Sequence, residues 1–94
     1  MKNEGIREMA DAIRDYDAGG TKFRVLLDRL EYCVDRLDDE DVAWKESFQS
    51  AWGRMEDAYA YASFKGEKYI LEQDLPAVER SLSVVRRLVA ERLV

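Results

Sequence analysis

The residues best placed to do chemistry in this chain are carboxylates. Asp35, Asp38, Asp39, Glu40, Asp41 and Glu46 crowd the stretch where one predicted helix ends and the next begins. Such a cluster can hold a cation or attract a basic macromolecule. Counted from Asp35, the twelfth position is Glu46, where a calcium-binding EF-hand loop carries its bidentate glutamate. The sixth position is Glu40, however, and that loop needs glycine there for its sharp turn. A calcium site is therefore not expected. The chain has no histidine, which removes the usual general base near neutral pH and the commonest metal ligand. Ser-His-Asp and Cys-His arrangements go with it, and a single cysteine leaves too few ligands for most zinc sites. No Gly-rich phosphate loop is present. The sequence points away from an enzyme and implies no metal or cofactor.

The elements that must position these carboxylates are helices. Apolar residues recur at helical spacing along most of the 94 residues, and neither strand alternation nor a hairpin turn is evident. Four helices are predicted. The first covers 3–16, with Ile6, Met9, Ala10, Ile13 and Tyr16 in a narrow stripe, and Gly19-Gly20 closes it. The second covers 22–37, with Thr21 as N-cap and Phe23, Leu26, Leu27, Leu30, Cys33, Val34 and Leu37 on its main face. The third covers 41–64 and aligns Trp44, Phe48, Ala51, Trp52, Met55, Tyr59 and Ala62. The fourth covers 75–93, capped by Asp74, with Pro76 in its first turn, where a missing N–H costs nothing. Its main stripe is Leu75, Val78, Leu82, Val85, Val89 and Leu93. Short connections imply antiparallel neighbours. The expected fold is all-α: a small antiparallel bundle of three to four helices, one domain over 1–94, with the third helix at its centre.

Charge narrows the choice of partner. Residues 1–20 carry three basic and five acidic groups, 21–64 six and ten, and 65–94 six and five, for a net −5. The acidic middle would repel the phosphates of nucleic acid. It suits a basic protein, although a net negative charge also serves solubility. The arginines Arg80, Arg86, Arg87 and Arg92 of the fourth helix are interrupted by glutamates; they suit the negative end of the helix dipole or an acidic neighbour better than a nucleic-acid stripe. The charged content of 37% leaves no membrane-spanning run. With no secretory signal pattern and only Cys33, the expected location is cytoplasmic. Cys33 lies among leucines in acidic surroundings and reads as an inert core thiol.

Two helices are apolar on more than one side. Val25 and Tyr32 stand seven apart on the second, opposite its main stripe; Ala77, Val84 and Leu88 do the same on the fourth. Either bundle neighbours cover them or they form a dimer seam or partner site. On the third helix, Gly53 costs about 1 kcal/mol relative to alanine. It falls on the polar side with Ser50, Asp57 and Tyr61, so either another backbone or a partner passes close there. The candidate partner-binding residues are Asp35, Asp38, Asp39, Glu40, Asp41, Ser50, Gly53, Asp57 and Tyr61.

The turn after Tyr16, the segments LLDRLEYCVDRLDDED and FQSAWGRMEDAYA, and the closing amphipathic helix resemble small bacterial helical proteins without assigned chemistry. The resemblance spans about residues 15–92. Some acidic helical proteins of this size are immunity proteins that neutralise a toxin encoded beside them. The resemblance carries over no individual functional residue. Its implication is a non-catalytic protein-binding domain of immunity type; the alternative is a self-associating structural or adaptor domain, a homodimer through Val25/Tyr32 or Val84/Leu88.

Overall fold

Helical periodicity becomes four helices in the computed structural model, which describes residues 4–37 and 42–93. Helix α1 spans Glu4–Asp17, α2 Phe23–Asp35, α3 Val42–Phe64 and α4 Leu75–Arg92. A single 3-10 turn, Glu72–Asp74, leads into α4. No strand occurs among the described residues. The fold is an all-α bundle, as the apolar spacing requires.

The pairings fix an up-down-up-down course. Asp15 meets Arg29 while Glu8 meets Arg36, so α1 and α2 are antiparallel. Arg24 meets Glu56 while Asp35 lies across from Gln49, which makes α2 and α3 antiparallel too. Trp44, at the start of α3, reaches Leu88 late in α4. Asp17 at the end of α1 pairs with Arg86, and Ala10 lies across from Leu93. The helices thus form a ring in chain order, with α4 returning to α1. The expectation that α3 stands at the centre is wrong. Each helix turns one broad apolar arc inward, so the core lies between all four.

Glycine closes two of the helices. Gly19 and Gly66 have φ of 81° and 77°, a left-handed conformation that costs glycine nothing. Beyond α1, the Gly19 and Gly20 amides donate to the carbonyls of Tyr16 (3.0 Å) and Asp15 (2.8 Å). Beyond α3, the amides of Gly66 and Glu67 repeat the pattern on Ser63 (3.0 Å) and Ala62 (2.9 Å). Both are Schellman closures, which satisfy carbonyls left over at a helix end. The N-termini behave differently. Lys22, not Thr21, is the N-cap of α2, and no side chain caps it. The Thr21 hydroxyl is buried without a hydrogen-bond partner among the described residues. Asp74 holds the N-cap position of α4, but its side chain makes no cap bond; its backbone N–H instead closes the 3-10 turn on Leu71. Pro76 lies in the first turn of α4, as expected.

The core is one continuous cluster to which all four helices contribute. Met9, Leu26, Leu27, Leu30, Phe48, Met55 and Val85 are fully buried. Two indoles tie helices together: Trp44 Nε1 donates to the Leu88 carbonyl at 3.1 Å, and Trp52 Nε1 to the Leu27 carbonyl at 2.9 Å. Trp44 also stacks on Phe48, with centroids 5.5 Å apart.

The two-sided helices resolve differently from one another. On α4, Leu88 is buried and Val84 packs against the core, so this apolar side is covered internally there, whereas Ala77 in the first turn is exposed. Leu75 and Leu93, expected on the main stripe, are exposed instead, because they lie where the helix begins and where it has ended. On α2, Val25 and Tyr32 do face outward, at 41% and 61% exposure. Arg36 lies over the Tyr32 ring, 5.0 Å from its centroid.

Candidate functional site

The outer face of α3 follows from its length and turn. At 100° per residue, Glu46, Ser50, Gly53, Asp57 and Tyr61 fall within a narrow arc, opposite the buried Phe48, Ala51 and Met55. Glu46, Ser50, Asp57 and Tyr61 are exposed, and Gly53 is half-buried. Phe64 ends the same strip at 85% exposure. Arg54 is exposed beside it, and Lys65 lies over the Tyr61 ring at 5.5 Å. Ser50, Gly53, Asp57 and Tyr61 therefore share one surface, as their spacing implied.

Asp35 joins this surface from the neighbouring helix. Glu31, Val34 and Asp35 of α2 line a groove with Phe48, Gln49, Trp52 and Gly53 of α3, with a volume of about 270 Å³. Asp38, Asp39, Glu40 and Asp41 lie outside the described residues. The juxtaposition of Asp35 with Gly53 was not legible in the sequence, which does not state the register between two helices. Nor was the position of Trp52. Its bond to the Leu27 carbonyl fixes the indole in the groove wall, so it both joins the core and lines this surface.

Gly53 does not have the role of admitting another backbone. A Cβ built there meets no atom within 4 Å. Close approach occurs instead at Gly5, where a Cβ would stand 2.6 Å from Leu37 Cδ2. Gly53→Ala is accordingly expected to raise stability by about 0.5–1 kcal/mol, the helix-propensity gain without a clash. Urea denaturation would measure this, and a loss of stability would mean that something in the fold occupies the space above Gly53.

Charge is unevenly compensated around the bundle. Asp11, Asp15, Asp17, Asp28, Glu8, Glu56 and Glu91 each face an arginine. Arg24 links α2 to α3: its guanidinium lies 2.9 Å from Glu56, bonds Asp28, and covers the Tyr59 ring at 5.0 Å. The Glu56 bond is the largest of the influences holding the Arg24 proton more tightly than usual. Glu4, Glu31, Asp35, Glu46, Asp57, Glu67, Glu72, Asp74 and Glu79 make no ion pair among the described residues, and of these Glu31, Asp35, Glu46 and Asp57 lie on α2 and α3. Four uncompensated carboxylates thus gather on and beside the α2–α3 groove.

Cys33 is buried, and its thiol donates to Glu8 Oε2 at 3.6 Å. Burial, reinforced by the Glu8 charge, pushes it up from 9.0 to about 11. Below pH 9 both folded and unfolded chains keep the proton; between 9 and 11 only the folded chain does. Folding stability from this group therefore falls as pH rises through that window. The thiol is expected to resist iodoacetamide at pH 8 and to be labelled only as the protein unfolds. Between pH 9 and 11, Cys33→Ala should show a shallower loss of stability than the parent, and an equal slope would count against this account.

Among the described residues, no three of the Cys, Asp and Glu side chains are grouped to hold a metal ion, and no helix is long and apolar enough to cross a membrane. The chain matches no protein-family model, and comparison with curated proteins and with solved structures finds no match either.

Proposed function

We propose that this protein is a non-catalytic binding domain that recognises a basic protein through the α2–α3 face, in the manner of an acidic immunity protein acting in the cytoplasm. The observation that carries this reading is the grouping of four unpaired carboxylates on α2 and α3. Glu4, Glu67, Glu72, Asp74 and Glu79 also face no arginine, so what sets Glu31, Asp35, Glu46 and Asp57 apart is that they fall together on the adjoining helices α2 and α3. Uncompensated charge on one face raises encounter rates with an oppositely charged surface and suppresses wrong partners. Tyr61, 43% exposed on the same strip, supplies the kind of aromatic contact that anchors interfaces.

Photocrosslinking from position 61 in the source cell, followed by mass spectrometry, tests the reading. Adducts to one basic protein are expected. Reversing Glu31, Asp35 and Asp57 to lysine should then slow association with that protein by about tenfold or more at low salt. An association rate unmoved by reversal would remove the steering role.

A second reading rests on Val25 and Tyr32, which are exposed on α2. A self-associating domain would bury them, and light scattering showing a monomer at high concentration would eliminate it.

A further inference from the structure

We infer that the α2–α3 groove is the receptor for a single arginine side chain projecting from the partner protein; this rests on the binding function proposed above. Three features of the groove define the occupant. Its volume, about 270 Å³, exceeds a cavity that holds benzene yet stays below the range of ordinary small-molecule sites. That suits one long side chain rather than a helix or a cofactor. Val34, Phe48 and Trp52 give it an apolar lining, to which α3 adds the amide of Gln49. The α2 wall also carries Glu31 and Asp35, one helical turn apart and on the same side of that helix. Like charges at that spacing oppose the helix that holds them. Lys45, one turn before Gln49 on α3, forms no ion pair with either.

An arginine satisfies all three features at once. Its aliphatic stem covers the apolar lining, its planar head stacks on an indole, and its fixed fork of donors meets carboxylates. Lysine offers a point charge and no flat face. Trp52 is held ready for this role by its bond to the Leu27 carbonyl. Gly53 lines the groove without a side chain, and a Cβ added there would meet open space, so the rim is bare at this point.

The test uses blocked pentapeptides identical except for a central arginine, lysine or citrulline, titrated against the full chain at low salt. The Trp52 indole N–H and Gly53 amide resonances report occupancy. Arginine is expected to bind in the millimolar range, lysine several-fold more weakly, and citrulline not measurably. Gly53→Leu should abolish the shifts while the chain stays folded, and Glu31→Gln with Asp35→Asn should weaken arginine binding about tenfold. Citrulline binding as well as arginine, or a Gly53→Leu variant that still binds, overturns the inference. If these peptides fail while crosslinks from position 61 still capture a basic protein, the arginine receptor is wrong and the binding function stands. If the chain alone dimerises and Gly53→Leu abolishes the dimer, the occupant is a second copy, and the partner-protein form of the inference falls.

Discussion

Phe48→Ala is expected to lower unfolding free energy by about 3–5 kcal/mol, the usual cost of deleting a buried aromatic ring. Domains of this kind have only about 5–15 kcal/mol in total, so the variant should be marginally folded at room temperature. Phe48 is fully buried, stacks on Trp44, and lines the α2–α3 groove. Losing it leaves a void that α2, α3 and α4 cannot all collapse to fill. Tyr61→Ala, on the outer side of the same helix, should stay within about 0.5 kcal/mol of the parent. Urea midpoints for the two variants measure the contrast directly. Comparable losses would mean that α3 does not have one structural and one external side.

Leu88→Ala is the second large effect, at about 2–5 kcal/mol with no change of oligomeric state. Leu88 is buried and its carbonyl accepts the Trp44 indole N–H. Were Leu88 part of a dimer seam, truncation would change sedimentation more than stability. Chemical denaturation alongside sedimentation velocity distinguishes the two. Tyr32→Ala, by contrast, should leave stability nearly unchanged, because that ring is 61% exposed.

The four helices were legible because periodicity and punctuation agree: Gly19, Gly66 and Pro76 stand where helices end or begin. The sequence left Leu88 open between internal cover and a seam for a definite reason. Spacing shows which residues share a face, but not how wide the buried arc is. Helix α4 packs against both α3 and α1, so its covered surface takes in Val84 and Leu88 as well as the middle of the main stripe. The 3-10 turn at Glu72–Asp74 carries no distinctive residue pattern and was not anticipated. Thr21 fits the capping preference of its type, yet the helix begins a residue later.

The candidate site was legible in part. Helical spacing alone puts Ser50, Gly53, Asp57 and Tyr61 together. Which carboxylates lack cations depends on how α1 and α4 dock, and composition does not encode that. The partners of Asp15 and Asp17 come from other helices, at Arg29 and Arg86. Gly5 and Gly53 look alike as helical glycines, yet only the packing reveals that one is crowded by Leu37 and the other faces open space.

The ring order has a mechanical consequence. The α1–α2 and α3–α4 pairings are the more extensive ones, so the molecule behaves as two helical hairpins zipped along two thinner seams. The α2–α3 groove lies on one of those seams. Sub-global opening tends to follow such supersecondary units, and hairpin separation would pull the groove's two walls apart. Any occupant touching both walls binds only the zipped form and therefore holds the hairpins together. Recognition at this surface and the cohesion of the bundle are in that sense one equilibrium.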